Sequence, residues 1–329
     1  MEEKEARGAI AGEEARELLG RIVDNVETVI VGKREAVELV VMTMVAGGHV
    51  LLEDMPGTGK TSLVGALARS VDCGFRRIQF TPDVMPSDVT GFSIFNQKTR
   101  DFEFRPGSVM TNLVLADEIN RASAKTQSAL LEAMGERQVT VDGVTRVLEE
   151  PFMVLATQNP IEQYGTYPLP EAQLDRFLIK LSLGYLKVED EVRAILESDG
   201  AKAAISPVCT GADVMALRAA SRAVHVSNAV ARYAVQVAMA TREMKELTFG
   251  ASPRGSKALV ELSQANALMR GRGYVSPDDI KYLAPYVLCH RISLTHEARM
   301  DGKTEAGIVA EVLESVAVPE LTEQEVGSL

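Results

Sequence analysis

The sequence predicts an α/β fold in which a mostly parallel five-stranded sheet is flanked by helices and followed by a C-terminal all-helical domain. Up to about residue 184, short apolar runs alternate with segments of helical periodicity, which is typical of a parallel sheet covered on both faces. Beyond residue 184 the periodicity is helical and no run predicts a convincing strand. We therefore expect an α/β domain over residues 1–184 and a helical domain over residues 185–329.

Five short segments are the predicted strands of the sheet. Four of them are almost wholly apolar and are bounded by glycine or polar residues, which is typical of buried strands. The predicted strands are 49–52, 76–80, 113–116, 152–156 and 177–181. Helical spacing of apolar residues predicts helices at 13–28, 35–46, 60–71 and through 129–134, and later at 189–198, 212–223, 228–245, 254–269 and 278–288.

Two hairpins are predicted within the α/β part. Residues 139–147 alternate around Asp142-Gly143, a two-residue turn signal. Residues 91–107 surround the polar turn 96–99 and contain four of the nine phenylalanines. So many aromatic rings in a short insert need either packing within the domain or a binding partner, and the sequence leaves both open.

Composition and charge bound the classes of protein. The chain of 329 residues is 46% hydrophobic and 25% charged, a globular mixture rather than a disordered one. The longest nearly unbroken apolar run, 39–46, is far shorter than the roughly 20 residues that span a bilayer. The net charge of −11 argues against a chain-wide basic surface for duplex DNA. The first ten residues are acidic and polar, so we expect no secretory signal and a cytoplasmic location.

A glycine-rich loop between a predicted strand and a predicted helix is the sharpest feature of the sequence. It contains the residues PGTGKT at 56–61. Two glycines let the backbone curl so that N–H groups point at a phosphate, a lysine supplies charge, and a threonine hydroxyl can bind Mg²⁺. The loop begins with Asp54 where such motifs usually have glycine. The expected phosphate contacts are Pro56, Gly57, Thr58, Gly59, Lys60, Thr61 and Ser62.

Polar residues end two of the other predicted strands. Asp117 and Glu118 follow 113–116, and Asn159 follows 152–156. Acids at strand ends and Asn-Pro turns are both common alone. Downstream of a phosphate loop, the sequence favours Asp117 in a magnesium shell, Glu118 as the group that orients attacking water, and Asn159 as a group that senses the γ-phosphate.

These motifs together resemble those of AAA+ ATPases and, more narrowly, of the MoxR family, in which Asp at position 54 is usual. The matching stretches extend from about residue 29 to 271 and several are long, so the resemblance is specific. They are LLEDMPGTGKT, RIQFTPDVMPSDVTG, LADEINRASAKTQSALLEAMGERQVTVDG, ATQNPIEQYGTYPLPEAQLDRF and GASPRGSKAL.

The resemblance implies a role for each matching residue. Asp117 and Glu118 match the Walker B pair and Asn159 the first sensor. Arg176 matches the arginine finger that reaches the nucleotide of a neighbouring subunit, and Arg254 matches the second sensor on the lid. Val31 and Gly32 match the adenine pocket, and the two hairpins match the helix-two and pre-sensor inserts.

The resemblance also implies function: Mg²⁺-dependent ATP hydrolysis by a ring, most plausibly a hexamer, that remodels or matures partner proteins. The implied partners carry von Willebrand factor A domains. A nucleic-acid motor is an alternative. The two inserts contain few basic residues to bind a phosphate backbone, namely Lys98, Arg100, Arg105 and Arg146. A nucleotide-dependent scaffold that barely hydrolyses ATP is a third reading, and the presence of Glu118 argues against it.

Overall fold

The computed structural model describes residues 12–55, 57–159, 166–197 and 205–319. The N-terminal part of the fold is built from alternating helices and strands. In chain order they are α1 Gly12–Glu27, α2 Arg34–Ala46, β1 Val50–Glu53, α3 Lys60–Ser70, β2 Phe75–Gln79, α4 Pro86–Thr90, β3 Gly91–Asn96, β4 Asp101–Pro106, β5 Leu113–Asp117, a 3₁₀ turn Ile119–Arg121, α5 Ala124–Glu136, β6 Gln138–Val141, β7 Val144–Val147, β8 Met153–Gln158, α6 Glu171–Leu174 and β9 Ile179–Leu181.

The predicted parallel sheet is confirmed. Its five strands lie in the order β2-β5-β8-β1-β9, and every neighbouring pair is parallel. In a parallel sheet the carboxyl ends of the strands meet at one edge. The loops that follow β1, β5 and β8 therefore lie side by side, and these are the loops that carry the predicted phosphate-binding and acidic residues.

Two hydrophobic clusters cover the two faces of the sheet. One contains buried residues of α1, α2 and α3 and continues without interruption into the C-terminal helices. The other packs α5 and the loops after β2 and β4 against the opposite face. The strands β5 and β8 are buried almost throughout, as expected for strands sandwiched between helices.

The C-terminal part is mainly helical. Its elements are α7 Val188–Glu197, α8 Gly211–Ala223, α9 Asn228–Glu243, β10 Leu247–Phe249, α10 Pro253–Met269, α11 Pro277–Leu288, β11 Ser293–Leu294, α12 His296–Met300 and α13 Glu305–Ser315. The expectation of no strand after residue 184 missed the antiparallel pair β10-β11. These strands have three and two residues, too few for a period-two pattern to show in the sequence.

Both predicted hairpins are present. β6 and β7 are joined at Asp142 and Gly143, which have φ of +52° and +75°, the left-handed conformation that a two-residue turn of this type requires. In the other hairpin, β3 pairs with β4. The guanidinium of Arg146 lies 3.8 Å from the ring centre of Phe104, so the two hairpins contact each other. The rings of Phe92, Phe95 and Phe102 are exposed.

No described helix combines the length and the apolar character that a bilayer crossing would need. The three cysteines have free thiols in or near the core: Cys209 is buried, and Cys73 and Cys289 are half-buried.

His49, just before β1, is a buried histidine with both ring nitrogens engaged. Nδ1 accepts a hydrogen bond from the backbone N–H of Val154 at 2.9 Å, so the proton lies on Nε2, which faces the carbonyl oxygen of Met134 at 3.2 Å. Burial lowers the pKa of His49 to about 4. The folded chain therefore holds this ring neutral where the unfolded chain binds a proton.

We predict that acid destabilises the fold through His49. Since the folded pKa lies below the unfolded value of about 6.5, stability is full above pH 6.5 and falls by about 3 kcal/mol as the pH drops toward 4. Chemical unfolding of the wild type and of His49→Gln over this range measures the difference in slope. Replacement of the exposed His225 by Gln is the matched control, and equal slopes for wild type and His49→Gln would contradict the prediction.

Candidate functional site

The loop between β1 and α3 forms the wall of a cavity of about 380 Å³. Gly57 and Gly59 both have φ of +88°, a conformation that residues with a Cβ rarely adopt. Lys60 begins α3, and its ammonium donates to the carbonyl oxygens of Asp54 and Met55 at 3.1 and 3.0 Å. The loop therefore curls around its own lysine beside a helix N-terminus, the arrangement that binds phosphate groups.

The cavity collects most of the residues predicted from the sequence. Its lining combines the phosphate loop with the carboxyl ends of β2, β5 and β8. The lining residues are Asp54, Gly57, Thr58, Gly59, Lys60, Thr61, Ser62, Arg77, Gln79, Asp117, Glu118, Thr157, Gln158 and Asn159. Pro56, also predicted to contact phosphate, lies outside the described residues.

The structure explains the unusual Asp54. Its buried carboxylate accepts hydrogen bonds from the hydroxyl of Ser182 at 2.8 Å and from the backbone N–H groups of Leu183 and Gly184 at 2.7 and 2.9 Å. Asp54 thus ties the start of the phosphate loop to the chain leaving β9. A glycine at this position would leave those donors without this acceptor.

Asp117 is held by two side chains from the neighbouring strands. Oδ1 accepts from the hydroxyl of Thr157 on β8 at 2.7 Å, and Oδ2 pairs with the guanidinium of Arg77 on β2 at 2.6 Å. The same Thr157 hydroxyl accepts from the backbone N–H of Glu118 at 2.8 Å. One hydroxyl therefore fixes both members of the acidic pair.

Glu118 adopts a left-handed backbone conformation with φ of +56°. This conformation is uncommon for residues other than glycine, asparagine and aspartate and is enriched at functional sites. Its carboxylate lies 3.1 Å from the guanidinium of Arg121. The strand β5 ends at Asp117, and the chain turns at Glu118. The side chain of Glu118 thus lines the cavity.

A second cavity of about 260 Å³ adjoins the first and shares Gly57, Thr58, Gly59 and Ser62 with it. Its lining is more apolar and contains Val31, predicted as an adenine contact. Gly32 does not line it; its φ is +73°, and a Cβ at this position would lie 2.3 Å from a carboxylate oxygen of Asp190. Gly32 therefore allows α7 to approach closely beside the cavity.

The two arginines predicted from the resemblance lie away from the phosphate cavity. Among the described residues, neither Arg176 nor Arg254 belongs to its lining. Arg176 donates to the carbonyl oxygen of Leu131 on α5 at 2.9 Å. Arg254, in the first turn of α10, is 3.9 Å from a carboxylate oxygen of Asp175. The structure thus brings together the phosphate loop and the acidic pair but not the arginines.

The donor set of the cavity suits a hard cation bound together with phosphate. Mg²⁺ prefers oxygen ligands, and in phosphate sites proteins supply one or two of them. Thr61, Asp117 and Lys60 all line the cavity. Thr61 and Asp117 would hold Mg²⁺ beside a triphosphate, where the ion would neutralise charge on the phosphate oxygens.

Sequence reasoning missed three residues of this site. The anchoring role of Asp54 was hidden because its partners lie about 130 residues away. Arg77 and Thr157 flank Asp117 on neighbouring strands. The sequence could have indicated both residues, since polar residues near the carboxyl ends of neighbouring parallel strands lie next to one another.

A curled glycine loop at a helix N-terminus, facing an acid-tipped strand of a parallel sheet, defines the class: a P-loop nucleotide-binding protein. The profile described as "ATPase family associated with various cellular activities (AAA)" matches residues 49–179, and an AAA lid domain profile matches residues 239–312.

Relatives narrow the class to a family. Chaperone MoxR1 of Mycobacterium tuberculosis is 42% identical over 92% of this chain and 83% of its own. Uncharacterized protein YeaC of Bacillus subtilis is 51% identical over 93% and 97% of the two chains. A crystal structure from Cytophaga hutchinsonii, provisionally assigned as an ATPase, superimposes with a TM-score of 0.89 at 39% identity, covering 94% of this chain and 97% of that one. The chain belongs to the MoxR family of AAA+ ATPases.

We predict that Asp54→Ala destabilises the fold by about 2–4 kcal/mol, because it leaves the buried N–H of Leu183 and the half-buried N–H of Gly184 unpaired. Chemical unfolding measures the loss. The exposed Asp83→Ala is the control and should change stability by less than about 0.5 kcal/mol. Equal stabilities for the two variants would show that the contacts of Asp54 contribute little.

Proposed function

We propose that this chain is a Mg²⁺-dependent ATPase that acts as a ring and remodels partner proteins. The observation that carries the proposal is the shared cavity, in which a phosphate loop and the pair Asp117 and Glu118 face each other. The adjoining apolar cavity beside Val31 supports a nucleoside triphosphate rather than free phosphate as the ligand.

The residues of the cavity support a division of roles. The loop N–H groups, with Lys60, would bind the β- and γ-phosphates, and Thr61 with Asp117 would hold the metal shell. Glu118 would orient the attacking water, since phosphoryl transfer needs a positioned nucleophile rather than a covalent intermediate. Asn159 lies at the end of β8 in the same cavity, which supports a contact with that water or with the γ-phosphate.

We propose that Arg176 completes the site of a neighbouring subunit. Its contact in this chain is the carbonyl of Leu131, a neutral acceptor. A guanidinium stabilises charge that builds on the transferred phosphoryl group, and one supplied from outside typically contributes about 10³–10⁵ in rate. This role needs a closed ring, for which the family resemblance implies a hexamer. Arg254 on α10 is the proposed second sensor.

The proposed clients are proteins rather than nucleic acids. MoxR1 is named a chaperone, and the resemblance implies partners with von Willebrand factor A domains. The helicase-like and scaffold readings are not favoured by any comparison. The exposed rings of the β3–β4 hairpin support contact with a client.

The domain limits at 184 and 185 stay a proposal, supported by the end of the last sheet strand at Leu181.

We predict that Glu118→Gln binds ATP but hydrolyses it about 10²–10⁴ times more slowly, because water loses the carboxylate that orients it. Lys60→Ala should instead weaken nucleotide binding at least tenfold. A fluorescent ATP analogue measures binding, and phosphate release measures turnover. The exposed Glu132→Gln is the matched control. Normal turnover in Glu118→Gln would remove Glu118 from the mechanism.

We predict that Arg176→Ala loses about 10³-fold in turnover and that adding Lys60→Ala protein restores part of it. At a mixed interface the intact phosphate loop of one variant meets the intact Arg176 of the other. Arg69→Ala, at an exposed arginine of α3, is the control and should keep wild-type turnover. Absence of rescue in mixed rings verified by native mass spectrometry would contradict a role in trans.

A further inference from the structure

Asp175, the residue before Arg176, lies in a polar cluster where the helical part meets the start of β9. Its Oδ1 accepts from Nε of Arg291 at 2.8 Å, and its Oδ2 accepts from the hydroxyl of Ser252 at 2.8 Å. The guanidinium of Arg254 is 3.9 Å from the same Oδ2. One carboxylate therefore touches two arginines of the helical part while it is adjacent in sequence to a third.

Arg291 fixes one side of this cluster. Its side chain is 2% exposed. Besides Asp175, it donates to the carbonyl oxygens of Phe177 at 2.5 Å and Leu178 at 3.1 Å, and to that of Val287 near the end of the preceding helix α11. A buried guanidinium is tolerated only when it is paired and hydrogen-bonded in this way. Arg291 therefore holds the segment 175–178 firmly against α11.

The Oδ2 side of Asp175 is held less firmly. Ser252, the N-cap of α10, donates its hydroxyl to Asp175 and accepts from the backbone N–H of Arg254 at 3.1 Å. The side chain of Arg254 is 65% exposed, and a contact of 3.9 Å between a carboxylate and an exposed guanidinium contributes little stability. Arg254 can therefore exchange Asp175 for a more highly charged partner at small cost.

We propose that Asp175 is a positioning residue that couples nucleotide binding in one subunit to the arginine finger this subunit offers its neighbour. The inference rests on the proposed function. When Arg254 turns to a bound triphosphate, Asp175 retains Arg291 and Ser252 but loses one positive neighbour. Arg291 still anchors the backbone of 175–178, so the change reaches Arg176 through charge: it alters how the side chain of Arg176 divides between the carbonyl of Leu131 and the adjacent subunit.

The two oxygens of Asp175 separate this role from a structural one. Arg291 and the fold need Oδ1, whereas Arg254 and Ser252 contact Oδ2. Asp175→Asn keeps the shape and one acceptor oxygen for Arg291 but removes the charge. Ser252→Ala removes the link to α10 and leaves the pair of Asp175 with Arg291 in place. Ser227→Ala removes the equivalent N-cap of α9 and is its matched control.

The experiment uses mixed rings in which every active interface is defined. The acceptor subunit carries Arg176→Ala, so it hydrolyses ATP only with a finger from a donor. One donor carries Lys60→Ala and holds no nucleotide, and the other carries Glu118→Gln and holds ATP without hydrolysing it. The ratio of the two rescued rates measures how far nucleotide in the donor controls its finger. A purely structural role of Asp175 would lower both rates and leave their ratio unchanged.

We expect the rates rescued by the ATP-holding and the empty donor to differ by at least about fivefold, the lower end of typical coupling between sites. Adding Asp175→Asn to both donors should bring the ratio to within about twofold of one, and Ser252→Ala should bring it closer to one where Ser227→Ala does not. Native mass spectrometry and thermal unfolding check that the donors fold and enter rings.

Each contrary outcome has its own meaning. A ratio near one with unaltered donors, or a ratio that both Asp175→Asn and Ser252→Ala leave unchanged, would overturn the coupling and leave the trans arrangement standing. Absence of rescue from either donor would overturn the trans arrangement and the coupling together.

Discussion

Parallel pairing of three buried strands, β1, β8 and β5, is the constraint on which the site depends. Because their side chains are packed on both faces, a slip of one residue in register would move each side chain to the opposite face and disrupt the packing there. The loop after β1, the acids after β5 and the amide after β8 are therefore held at a common level. The hydrophobic core thus sets the distances among groups that are themselves polar.

Three polar groups at this edge have partners that orient them. Asp54 is bound by the chain leaving β9, Asp117 by Arg77 and Thr157, and Lys60 by two loop carbonyls. Groups fixed in this way need little reorganisation when a charged ligand arrives. The cavity is therefore preorganised by contacts from neighbouring strands and from the loops that follow them.

The sequence predicted the features that depend on residues close together in the chain and missed those that depend on residues far apart in it. Short apolar runs between helical segments predicted the parallel sheet, and local motifs predicted the phosphate loop and the acids of β5, because each of these signals lies within a few residues. The contacts of Asp54 and the burial of Arg291 join segments more than 100 residues apart. No local pattern distinguishes such an arginine from one on the surface. The roles of Arg176 and Arg254 involve a second chain or a moving lid and stay predictions.

The stack of Arg146 on Phe104 has a mechanical consequence. It joins the two hairpins into one body, and β6 continues almost directly from α5, whose Leu131 carbonyl accepts from Arg176. A small displacement of α5 would be transmitted through β6–β7 to the exposed rings of Phe95 and Phe102. The two inserts would then act as a lever that carries its aromatic end over a longer path than α5 itself moves.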